Sequence, residues 1–167
     1  TDCLAVSGGW NPTVHLTCHM NGRPAWSPEI ASFVPSAGAI PGLLAAGACN
    51  GAFSTAECLA EGAKAAHDSL EALGIAGAEY ELPQADHATY ALEPLWAVPG
   101  RGRAWLDFQN DVSVKDVKQA AIENFTSVEH MKRYTTQGMA TDQGKNSNVT
   151  ALAVLADATG RGIPETG

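Results

Sequence analysis

The residues best suited to chemistry lie between positions 132 and 145. There Lys132, Arg133, Thr135, Thr136, Gly138, Met139, Gln143 and Lys145 combine cations, hydroxyls and glycine-punctuated backbone. Cations give charge-assisted hydrogen bonds, and a glycine loop can turn successive N–H groups toward one point, together with the Lys145 ammonium. The set therefore reads as a cradle for one small anion such as a phosphate. The competing reading is a solvated helix end with ordinary surface charge. Other candidates are weaker. His15 and His19 flank Cys18 at helical spacing, but no third ligand follows at a zinc-like interval. Glu129 and His130 are neighbours on a helix and do not face each other. A Gly-x-Ser-x-Gly elbow, a Walker loop and a Cys-x-x-Cys pair are all missing, so no self-contained catalytic machine is legible.

Short capped helices must position that loop. Ser113-Val-Lys-Asp116 spells a capping pattern, with Ser113 accepting from a first-turn amide and Asp116 at the positive helix end. Thr126 to Glu129 repeats the pattern, which places Lys132 and Arg133 in the last turn, where cations suit the negative end. The chain then turns at Gly138 and Gly144. Asn148 caps a last helix over 149–159, stopped by Gly160. Upstream, residues 46–66 read as a strand, a glycine loop and a helix whose Ala56, Ala60, Ala63 and Ala66 allow close approach to a sheet or ligand. Thr55 offers an N-cap-like hydroxyl at its mouth. A tight strand–helix connection without a ligand is the plainer alternative. Earlier still, residues 3–7 suggest a buried strand ended by Gly8-Gly9, 14–16 a helical turn, 23–28 extended or turn structure, and 40–47 a turn and second buried strand. Residues 77–103 are rich in Pro, Gly and acids and read as a linker anchored by Tyr80, Tyr90 and Trp96.

The charge is unevenly placed. Net charge is −8. Residues 1–99 hold ten acids against Arg23 and Lys64, whereas 100–167 hold eight of each sign. An acidic first part argues against a nucleic acid, whose phosphates call for Lys and Arg. No apolar run approaches the roughly 18–20 residues of a membrane span, and no signal-peptide pattern is visible. Cys3, Cys18, Cys49 and Cys58 lack paired spacing, which suits free thiols in a reducing cytoplasm. The start at Thr1 without an initiator Met suggests an excerpt of a longer polypeptide.

Three stretches, DFQNDVSVKDV, SVEHMKRYTTQGMATDQGKNSN and GRGIPE, together resemble the alpha subunit of heterotetrameric sarcosine oxidase. More distantly the second half is similar to the BFD-like iron–sulfur modules of opine and amino-acid oxidases. There a Cys-x-Cys pair aligns with Phe108-Gln109-Asn110 and a later pair with Asp142 and Ser147. No cysteine follows Cys58, so the module is expected to be free of a cluster. The resemblance implies an α/β fold: the end of a Rossmann-like FAD/NAD(P)-binding region over 1–76, the linker, and a small, mostly helical module over 104–167. Flavin-linked reductases usually carry Gly-Asp before the corresponding helix; Gly47-Ala48 here lacks that carboxylate. The family carries NAD in this fold, and carry-over points to Ala48, Phe53 and Thr55 as its contacts. FMN lies between alpha and beta in this family, so Lys132, Arg133, Thr136, Gln143 and Lys145 are expected to hold its phosphate. FAD, tetrahydrofolate and zinc belong elsewhere in the complex, whose partners are the beta, gamma and delta subunits and whose substrate is sarcosine. Two other readings stay open: an electron-transfer module of an opine- or proline-type dehydrogenase, and a ligand-free structural module.

Overall fold

The computed structural model describes residues 2–3, 10–78 and 81–167. The chain forms two compact units, Thr1–Glu93 and Pro94–Gly167. The expected strand over 3–7 and the anchor Tyr80 fall largely outside the described residues.

In the first unit a 3-10 segment, His15–Asn21, takes in the expected helical turn. A hairpin follows, β1 (Ala25–Ser27) against β2 (Ser32–Val34), antiparallel with Trp26 opposite Phe33. Their rings meet edge to face at 5.1 Å, the cross-strand aromatic pairing that stabilises short ladders. The turn forces Ala31 to φ 46°. Helix α1 (Thr55–Ala72) is capped by Ser54, and none of its residues is buried. Ala60 and Ala66 lie exposed, so its small residues are not packed against a sheet.

Two expectations fail here. Residues 40–47 form no strand. Gly42 and Gly47 both have positive φ and bracket only four residues between them, too few to find a ladder partner; Leu44 is 53% exposed. Nor is there a strand before the loop: Gly47–Asn50 is a 3-10 turn. All β structure among the described residues is two antiparallel hairpins, so these residues contain no parallel Rossmann-like layer.

The second unit carries the core. Strands β3 (Trp105–Asp107) and β4 (Val112–Ser113) form an irregular antiparallel hairpin. Helices α2 (Val114–Ile122), α3 (Val128–Thr135), α4 (Asn148–Thr159) and α5 (Ile163–Thr166) follow. Every residue from Ala151 to Ala156 on α4 is buried. An apolar run buried all round reads as a central helix rather than a surface one. Around Ala151, Val154 and Leu155 gather Leu106, Val112, Val117, Ala120 and Met131, with Trp96, Phe125 and Val128 partly buried against them. Met131 and Leu155 are wholly excluded from solvent, and each such side chain contributes about 1.5–3 kcal/mol by burial.

Cap positions differ from expectation by one residue. Ser127, not Thr126, caps α3 and accepts from the His130 N–H. Ser147, not Asn148, occupies the N-cap position of α4; Asn148 begins the helix and donates back to Gln143 O. Gly160 ends α4 at φ 64° as expected. Described residues within 77–103 form no helix or strand. Among the described residues no helix is long and apolar enough to cross a membrane.

Candidate functional site

The anion-cradle region is organised by an anion of the protein itself. Asp107 ends β3 and is only 3% exposed. Its Oδ1 accepts from the N–H groups of Gln109 (2.9 Å) and Asn110 (3.2 Å), turning the chain between β3 and β4. Its Oδ2 accepts from Gly138 N at 2.9 Å, thirty-one residues away. Beside it Asn110 Nδ2 donates to Thr136 O at 2.8 Å. A charge removed from water is tolerable when donors surround it, and three amide bonds do so here.

The loop closes on itself in the same way. Gly138 and Gly144 sit at φ 69° and 74°, and Asn148 Oδ1 nestles so closely against both that a Cβ at either would collide with it. Fully buried Gln137 donates from Nε2 to Ser147 Oγ at 2.7 Å. Several of the backbone amides expected to face an outside anion have partners within the protein. Gly138 N–H goes to Asp107 and Gly144 N–H to Asp142 Oδ1, while those of Met139, Gln143 and Lys145 go to loop carbonyls. Thr136 Oγ1 donates to Thr135 O, and Thr135 Oγ1 to Met131 O. Lys132 and Arg133 both lie within ion-pair distance of Glu129, at 3.9 and 3.4 Å. Lys145 is exposed and takes part in none of the ion pairs found among the described residues.

The positions aligned with cluster cysteines have other occupations. Phe108 is 78% exposed, Asn110 ties the hairpin to Thr136, Asp142 accepts from Gly144 and Ser147 from Gln137. Asn110, Asp142 and Ser147 thus take part in hydrogen bonds that hold this region together. His15, Cys18 and His19 are exposed on the 3-10 segment, and among the described residues no group of His, Cys, Asp or Glu is arranged to hold a metal.

In the first unit, Ala48, Phe53 and Thr55 lie around the start of α1. Ala48 is exposed in the 3-10 turn, Thr55 is exposed as the first helical residue, and Phe53 is half-buried. The N-cap is Ser54 rather than Thr55. Ser54 Oγ accepts Glu57 N–H at 3.2 Å and donates to Glu57 Oε2 at 2.8 Å, which also accepts Ser54 N–H at 3.1 Å. These hydroxyl and amide donors hold the Glu57 carboxyl below its usual range. Ser54-Thr-Ala-Glu57 spells that box in the sequence, so this cap was legible one residue before Thr55. Glu61, one turn further on, accepts Gly47 N–H at 2.8 Å and holds the turn that carries Ala48. The sequence marks Tyr90 as an anchoring aromatic without naming its partner and does not mark His87: His87 Nδ1 lies 3.3 Å from Ser54 Oγ, and the Tyr90 ring packs on Phe53 with centroids 4.6 Å apart.

A small helical module braced on a buried carboxylate matches a described class. Residues 101–167 fit the sarcosine oxidase A3 domain. Along nearly its whole length the chain is similar to sarcosine oxidase subunit alpha. It is 42% identical to that of Rhizobium meliloti (strain 1021) over 99% of the chain, and 39% and 40% identical to those of Corynebacterium sp. strains P-1 and U-96 over 95%. It spans 17% of the length of each of these relatives.

Proposed function

We propose that the chain is a segment of the alpha subunit of a heterotetrameric sarcosine oxidase. That complex converts sarcosine, tetrahydrofolate and O2 to glycine, 5,10-methylenetetrahydrofolate and H2O2. The segment contributes NAD binding through Ala48, Phe53 and Thr55, and a cluster-free module on the FMN side of the interface with the beta subunit. FAD, tetrahydrofolate and zinc belong to other parts, and the gamma and delta subunits complete the assembly. The observation that carries this reading is identity of about 40% with named alpha subunits along nearly all of the chain.

The residues fit the two ligands unequally. For a dinucleotide, Ala48 presents only a methyl group and Thr55 a hydroxyl beside the first turn of an 18-residue helix, whose positive end suits a diphosphate. For an FMN phosphate, the amides of Gly138, Met139, Gln143, Gly144 and Lys145 already have partners, so the role falls mainly to side chains. Lys145 leads, with Gln143 beside it; Lys132 and Arg133 share Glu129 and supply long-range charge. Each group would hold and orient a ligand.

Replacing Ala48 with Asp in the assembled enzyme tests the reading. A carboxylate there crowds and repels the diphosphate, so NAD released on denaturation should fall well below one per complex. Unchanged NAD content sinks the assignment of Ala48.

A further inference from the structure

Residues 87–90 have no helix or strand of their own, yet they return to the N-terminus of α1 at two consecutive positions. His87 meets Ser54 and Tyr90 meets Phe53, across a separation of more than thirty residues. The Ser54 hydroxyl donates to Glu57, and His87 Nδ1 lies 3.3 Å from the same oxygen. Tyr90 is half-buried, its ring tilted 49° to that of Phe53, and its hydroxyl accepts the Trp10 N–H at 3.2 Å. Side-chain contacts alone, with no backbone ladder, hold this strap against the helix start.

We infer that Tyr90 is a positioning residue of the dinucleotide site: it backs Phe53, with His87 pinning the strap, so that Phe53 presents a fixed aromatic wall to the ligand. The inference rests on the assignment of Phe53 above. Phe53 directly precedes the cap, so its backbone is already fixed by the Ser54–Glu57 bonds. What remains free is rotation of the ring, and a tilted partner at 4.6 Å removes it. A wall that is ordered before binding loses less rotamer entropy when a planar heteroaromatic ring arrives, which slows release. The Trp10 bond fixes Tyr90 from behind, so the order does not depend on the ligand.

The test is NAD retention by the assembled enzyme with Phe53→Ala, Tyr90→Ala, Tyr90→Phe and the double Phe53→Ala/Tyr90→Ala variant. Release is followed after dilution, and thermal melting is recorded in parallel. Tyr90→Ala should speed NAD release about fivefold, the scale of one aromatic pair. Tyr90→Phe, which keeps the ring, should restore most of it. The double variant should release NAD no faster than Phe53→Ala, because Tyr90 acts only through that ring. Unchanged release in Tyr90→Ala overturns the inference. So does slower release, which would make the strap a plug, and so does a double variant whose effects simply multiply. If Phe53→Ala itself retains NAD normally, the assignment of Phe53 has failed, and the strap with it. If only Phe53→Ala loses NAD, the assignment stands and the strap alone is refuted. Should Tyr90→Ala fail to assemble, Tyr90→Leu keeps the bulk without the aromatic face and carries the same outcomes.

Discussion

Asp107 shows how one side chain can settle the character of a loop. A glycine loop followed by lysine suggests an external anion, yet the buried carboxylate accepts the Gly138 amide and keeps the loop shut. Gly144 depends on its missing side chain twice over. Its φ of 74° is costly for other residues, and a Cβ there would strike Asn148. Gly160 has a similar φ of 64° but open space around it. Gly160→Ala should therefore cost only the backbone term, about 1–2 kcal/mol. Gly144→Ala should cost clearly more, because Asn148 must also leave its place at the start of α4. Urea unfolding of the two variants compares them. Equal losses would mean that Asn148 moves aside freely and the loop is not locked.

At the scale of elements, the capping boxes matter most because these helices are short. α2 has nine residues, too few to persist in water without caps and tertiary packing. The Asp116 carboxylate accepts both the Ser113 hydroxyl, at 2.7 Å, and the Ser113 N–H, at 2.8 Å. Within this capping box the hydroxyl also donates to Asp116. That hydroxyl bond, above all, holds the Asp116 carboxyl below its ordinary value of 3.8. A carboxyl depressed on folding stabilises the fold above its unfolded pKa, and this contribution is lost as pH falls through the lower folded value. Asp116→Asn should therefore flatten the acid limb of stability between about pH 5 and pH 2. Urea midpoints across that range check it; parallel curves for the two proteins would show that the box is not charge-dependent.

At the scale of the whole molecule, most of the buried apolar side chains among the described residues lie in the second unit. The cluster around α4 belongs to the second unit, whereas α1 in the first buries no residue. The phosphate role proposed for Lys145 can therefore be tested without disturbing the core. An exposed cation with no ion pair among the described residues contributes little to stability, whereas its bond to a phosphate is charge-assisted. Lys145→Ala should lower FMN occupancy of the assembled enzyme with almost no change in melting temperature. Lys145→Arg should recover part of the loss, since the charge survives with a different reach. Full occupancy in the alanine variant would leave the loop as a solvated helix end.

Local signals carried the sequence reading as far as they reach. The helices over 114–122, 128–135 and 148–159, the turns at Gly138 and Gly144, and the stop at Gly160 follow from caps and glycines, because such bonds span at most four residues. The three quoted stretches carried the relationship to sarcosine oxidase alpha subunits, since a long uninterrupted match does not depend on geometry. What the sequence could not decide are the bonds between distant residues. The strand expected over 40–47 needed a partner strand that the described residues do not supply, and period alone cannot show that. That Asp107 reaches Gly138, that Gln137 is buried on Ser147, and that Tyr90 comes back to Phe53 are consequences of how the chain closes in space. Tertiary packing chose those partners because most buried polar groups pair with whatever donor or acceptor the fold brings near.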